Sequence, residues 1–145
     1  MYRNLIIATD GSELAAKAVE QGLGLAQALG AKATVVTVTE PWTAVVWGGV
    51  DMAFPIEEYE RGCLAGAEKI LGDAAAVAAR LGASCETLHV KDRMPAEGIL
   101  ETARARNCDL IVMASHGRRG VARLLIGSQA NQVVTHSTIP VLICR

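Results

Sequence analysis

Short unbroken apolar runs alternate along this chain with longer stretches in which apolar residues recur every three or four positions. Residues 4–9, NLIIAT, are the first such run, the pattern of a strand buried on both faces. After Ser12, a good N-cap, Leu14, Ala15, Ala18, Val19, Gly22, Leu25, Ala26 and Leu29 follow helical spacing, and Gly30 stands where that helix should stop. The β-branched residues 33–39 predict a second strand, ended by Pro41. Residues 42–55 hold two adjacent glycines and a proline and are expected to form an irregular connection. An alanine-rich helix is predicted from about Ile56 to Leu81, closed by Gly82, and a third strand at 84–90. Pro95 suits a first helical position, and Ile99, Leu100 and Ala103 mark a short helix that Asn107 can end. A fourth strand at 109–114, a helix from about Ser128 to His136 and a last strand at 141–144 complete the chain.

Strand and helix therefore alternate throughout, which predicts an α/β fold: a parallel sheet with helices on both faces. The 145 residues suit one domain, 1–145. No internal repeat is visible.

Composition narrows the function classes. A net charge of −1 argues against a generic nucleic-acid binder, which is strongly basic. The five aromatics (Tyr2, Trp42, Trp47, Phe54 and Tyr59) all lie in the first 59 residues and offer little for base stacking. No apolar stretch approaches a membrane span, and the run after Arg3 is too short for a signal peptide's apolar core. Cys63, Cys85, Cys108 and Cys144 form no CxxC pair, so zinc and dithiol chemistry lack support. The expectation is a cytoplasmic, reduced protein with no nucleic-acid or membrane partner.

The charge is unevenly spread. Residues 110–145 carry Arg118, Arg119, Arg123 and Arg145 and no acid, whereas residues 1–109 carry an excess of five acids. A cationic segment on a mildly acidic protein points to a small anionic ligand.

In open parallel sheets ligands bind beyond the carboxyl ends of the strands, where strand order reverses. Two loops qualify. Ala8-Thr9-Asp10-Gly11-Ser12 follows the first strand, and the segment Ala114–Ser128 follows the fourth. In the second, Gly117 and Gly120 permit close backbone approach, and Gly127-Ser128 opens a helix whose free N–H groups favour phosphate. The segment is neither GxGxxG nor a Walker loop, so it reads equally as a phosphate site or as a plain βα turn.

The loop A-S-H-G-R-R-G-V-A-R-L-L-I-G-S resembles the signature of the universal stress protein family, whose nucleotide-binding members carry G-x2-G-x9-G-[ST]. Its later elements fall on Gly117, Gly127 and Ser128, while Ala114 stands where the pattern has its first glycine. LIIATDGS, VKDRMPAEGIL and STIPVLICR resemble the family too, so the likeness spans the whole chain. It implies a fold like the adenine-nucleotide α-hydrolases, with five parallel strands in order 3-2-1-4-5. It also implies a homodimer through the C-terminal strand, and ATP or AMP in the cleft. The residues it carries to that ligand are Ala8, Thr9 and Asp10, then Val38 through its backbone. From the second loop come Ala114, His116, Gly117, Arg118, Arg119, Gly120, Gly127, Ser128 and Gln129. Asp10 would hold magnesium if a metal accompanies the nucleotide.

Blander readings stand beside these. Asp10 is also an ordinary cap for the following helix. His116 lacks a sequence-local nucleophile or orienting carboxylate, so a structural or ligand-lining role suits it better than that of a base. The run Trp42–Val50 is either a lid or a loop that buries its own side chains. Taken together, the sequence predicts a small stress-response protein that binds adenine nucleotide as a signalling or regulatory module. The alternatives are a slow ATPase of the same fold, with Asp10 holding a metal, and an interaction protein that binds no nucleotide.

Overall fold

The computed structural model describes residues 1–47, 55–118 and 126–145. The elements are β1 Asn4–Ala8, α1 Glu13–Leu29, β2 Lys32–Thr39, α2 Trp42–Trp47, α3 Ile56–Leu81, β3 Cys85–Lys91, α4 Pro95–Ala105, β4 Leu110–Ala114, α5 Ser128–His136 and β5 Val141–Cys144. Among the described residues the five strands form one sheet in the order β3-β2-β1-β4-β5, and every neighbouring pair is parallel. This is the predicted class and the predicted order.

The strand periodicity explains the two-layer core. Leu5 and Ile7 of β1 point to one face, where they meet Ala15, Ala18, Val19 and Leu23 of α1 and Ala74 and Ala78 of α3. Ile6 and Ala8 point to the other, against Ala96, Ile99 and Ala103 of α4 and Ala130 and Val133 of α5. With both faces covered, β4 and residues 5–8 of β1 are apolar at every position, which is why NLIIA shows no alternation.

Helix limits follow their caps. The Ser12 hydroxyl accepts from Ala15 N–H at 3.2 Å and starts α1, and Gly30, at φ +63°, ends it. Residues 42–55, expected to be irregular, include the helix α2. Pro41 supplies the carbonyl that accepts from Ala44 and Val45 N–H, and Val46 is driven into the protein, only 4% exposed. Burial of that one residue fixes a turn that its neighbouring glycines and prolines masked. The rest of that run, residues 48–54, lies outside the described residues, and with it the choice between lid and buried loop. No described helix is long and apolar enough to cross a membrane.

Candidate functional site

β1 and β4 are neighbours in the sheet, but the chain leaves them towards opposite edges. Their carboxyl ends therefore diverge and open a cleft of about 830 Å³. Its floor is the ends of β1, β2 and β4, one side is the start of α5, and the other is one face of α3.

Eleven of the thirteen residues singled out from the sequence line this cleft: Ala8, Thr9, Asp10, Val38, Ala114, His116, Gly117, Arg118, Gly127, Ser128 and Gln129. Arg119 and Gly120 lie outside the described residues, as does Arg123.

At the β1 end, Thr9 N–H still donates to Val36 C=O at 2.9 Å, the last rung between β1 and β2. Asp10 then turns away, and its carboxylate is shared. Oδ1 accepts from Ser12 N–H at 2.9 Å and Oδ2 accepts from Arg118 N–H at 2.7 Å. Asp10 therefore does not cap α1, a task taken by Ser12. It ties the β1 loop to the β4 loop. Each oxygen already accepts one N–H, and among the described residues no group of three or more His, Cys, Asp or Glu is placed to hold a metal.

β2 outruns β1. In a parallel ladder each residue sends its N–H and C=O to the same side, and successive residues alternate. The Val36 carbonyl faces β1, so Val38 faces the same way, past the point where β1 has ended. The Val38 N–H and C=O thus point into the cleft, while its half-buried side chain packs on the α4 layer.

The β4 loop folds back tightly. Gly127 N–H donates to Ser115 C=O at 2.7 Å, and a Cβ on Gly127 would stand 3.0 Å from that same carbonyl. A Cβ on Gly117 would stand 2.5 Å from Asp10 Oδ2. A side chain at either position must displace a neighbour within the protein, before any ligand is considered: the Ser115 backbone at 127 and the Asp10 carboxylate at 117. Ala114 needs no such licence. It ends β4 with its methyl buried in the α1 layer, and its φ is not positive.

α5 opens at Gly127 with no side-chain cap, which leaves its first N–H groups directed at the cleft. The Gln129 side chain is turned to another use: its Oε1 accepts from Ala96 N–H at 3.0 Å. It caps α4, whose own N-cap, Met94, has no side-chain acceptor. His116 Nδ1 meets Ser115 Oγ at 3.0 Å, and its buried Nε2 has no partner among the described residues.

The face of α3 went unnoticed in the sequence. Tyr59, Gly62, Cys63, Gly66, Ala67 and Ile70 line the cleft, and the Tyr59 hydroxyl donates to the Glu40 carbonyl. Spacing of three and four residues with small side chains in the middle was the available signal. A Cβ at Gly62 or Gly66 would meet nothing within 4 Å among the described residues, whose packing does not require these glycines. Burial pushes the thiols of Cys85, Cys108 and Cys144 up.

Comparison with known proteins agrees with this architecture. A family model described as the universal stress protein family matches residues 1–145. A universal stress protein of Thermus aquaticus is 35% identical over 145 residues, covering all of both chains. The solved structure of the protein MJ0577 superposes with a TM-score of 0.80 at 22% identity, over 99% of this chain and 96% of that one. A universal stress protein solved in complex with cAMP gives a TM-score of 0.71 at 26% identity, over 99% of this chain and 97% of that one. With the family pattern matched from end to end and its sheet order reproduced, this chain belongs to the universal stress protein family.

Proposed function

We propose that this protein binds an adenine nucleotide, ATP or AMP, in the cleft between β1 and β4 and acts as a nucleotide-responsive module. The observation that carries this reading is the arrangement of two complementary ends in one cleft. At one end the Val38 N–H and C=O present a donor beside an acceptor, the complement of the adenine N1 and N6 edge. At the other end the uncapped start of α5, Ser128 and Arg118 offer backbone donors, a hydroxyl and a cation for phosphate. A volume of about 830 Å³ falls in the range of ligand clefts. The relative solved with cAMP supports the same ligand class.

Turnover is expected to be slow or absent. Phosphoryl transfer needs a positioned nucleophile and charge stabilisation. Asp10, a cleft-lining acid, already holds two backbone N–H groups in place. It is a positioning group here, with limited capacity left for a metal.

The protein is read as one domain that pairs into a homodimer through β5. That strand has β4 on one side only among the described residues. Ser115 N–H donates to the Cys144 carbonyl and Ile111 N–H to the Pro140 carbonyl. By strand alternation Val141 and Ile143 therefore point their N–H and C=O groups outward, an edge that invites a second strand. The four unpaired cysteines suit the reducing cytoplasm.

Mass spectrometry of small molecules released from freshly purified, denatured protein tests the ligand reading. An adenine nucleotide at near-stoichiometric level is expected. Its absence, together with no thermal shift on adding ATP or AMP, would contradict the proposal.

A further inference from the structure

α4 carries a glycine, Gly98, in its interior, where alanine is the better helix residue. The reason is contact. A Cβ on Gly98 would stand 2.9 Å from both Val38 Cγ1 and Cγ2, and 3.3 Å from Val90 Cγ1. The helix backbone lies directly on the Val38 side chain at this point.

Neither partner can easily retreat. α4 is held at its start by the Gln129 Oε1 bond to Ala96 N–H, and Ala96, Ile99 and Ala103 are buried in the layer beneath. β2 is paired with β3 at Val38↔Val90, but on the other side it has run past the end of β1. Val38 is thus braced by β3 and by α4, with the cleft on its open side. An added methyl at 98 would push Val38 off α4, and its backbone N–H and C=O, which border the cleft, would move with it.

We propose that Gly98, which does not line the cleft, is a positioning residue for base selection. By letting α4 rest on Val38, it fixes where the Val38 N–H and C=O stand. This rests on the reading that an adenine nucleotide fills the cleft. Adenine presents an acceptor at N1 beside an amino donor at N6, and hypoxanthine presents the reverse, so the two bases report the position of that backbone pair. A shift of Val38 weakens adenine binding and leaves hypoxanthine, already mismatched, little changed. Gln129 contributes from the phosphate end, since it anchors the helix that carries Gly98.

The test is calorimetric titration of ligand-free protein with AMP, and competition with IMP. Gly98→Ala is expected to lower AMP affinity about tenfold and to shrink the AMP:IMP ratio by a similar factor. A general loosening of the fold would lower both affinities together and leave the ratio intact. The double variant Gly98→Ala with Val38→Ala removes the two nearer of the three methyl groups that the new Cβ meets. It is expected to restore AMP affinity and the ratio to within about threefold of wild type. The inference is overturned if Gly98→Ala keeps the wild-type ratio, or if the folded double variant fails to recover it. Should Gly98→Ala not fold, the double variant decides by the same criterion. A wild type that binds no adenine nucleotide overturns the underlying reading and this inference with it. A wild type that binds, with an unmoved ratio in Gly98→Ala, overturns this inference alone.

Discussion

The backbone N–H of Arg118 donates to Asp10 Oδ2 at 2.7 Å, and this bond joins two loops 108 residues apart in sequence. Gly117, next to Arg118, lies so close to the same oxygen that a Cβ there would be 2.5 Å away. The carboxylate and the motif glycine therefore specify each other.

Gly117→Ala is expected to lower folding stability by about 0.5–1.5 kcal/mol, the scale of one hydrogen bond forced apart at an exposed site. In an Asp10→Ala background the same substitution has no carboxylate to meet and should cost clearly less. A double-mutant cycle by chemical denaturation measures the coupling. Additive effects of the two changes would show that the two loops are not tied in this way.

Ala114 occupies the place of a family glycine without strain, with its methyl in the core against α1. Ala114→Gly removes that methyl and frees the backbone, at a cost of about 1 kcal/mol. Affinity for nucleotide should stay equal or rise, because the methyl is committed to the core against α1 and the Ala114 backbone at the cleft is kept. A gain of several degrees in Tm would contradict the burial argument.

At β5, proline at 143 removes an outward N–H while the bonds to β4, made by Pro140 and Cys144 carbonyls, persist. Ile143→Pro is therefore expected to give a folded monomer where the wild type scatters light as a dimer. A wild type that is monomeric at micromolar concentration, or a variant that stays fully dimeric, would remove β5 as the interface.

His89 hydrogen-bonds the Thr39 hydroxyl at 3.0 Å where β2 and β3 end. Burial, and then the Lys91 charge, hold its imidazole below the ordinary value of 6.5. As pH falls, the unfolded chain takes up this proton before the folded one does. The contribution of His89 to stability is complete above 6.5 and is lost as pH falls through the folded value. Tm of the wild type should decline on acidification below 6.5 more than Tm of His89→Asn does. Parallel pH profiles of the two proteins would exclude this source.

The legible part of the molecule was its local chemistry. Ser12, Gly30, Gly82 and Pro95 act on their own neighbours, and they set helix limits that can be read from the residues alone. The β4 loop was legible because its glycines and Gly127-Ser128 are consecutive along the chain. What escaped depends on pairs distant in sequence. Asp10 looks like a cap until Arg118 is brought to it. Gln129 lines the cleft, but its second task, capping α4 through Ala96, cannot be read from either segment alone. Gly62 and Gly66 look like flaws in a helix until a cleft is found beside them. α2 was missed for a related reason, since Val46 is buried by the fold and not by the local pattern.

Isothermal calorimetry of demonstrably ligand-free protein with AMP and ATP, on the wild type and Gly127→Val, tests the central claim most directly. The wild type is expected to bind one nucleotide per chain. In Gly127→Val the side chain would press on the Ser115 carbonyl, 3.0 Å from where its Cβ must stand, and would misplace the start of α5. That variant is expected to remain folded by circular dichroism and to release no heat. Absence of heat from the wild type with either nucleotide, or undiminished binding by Gly127→Val, would contradict the account.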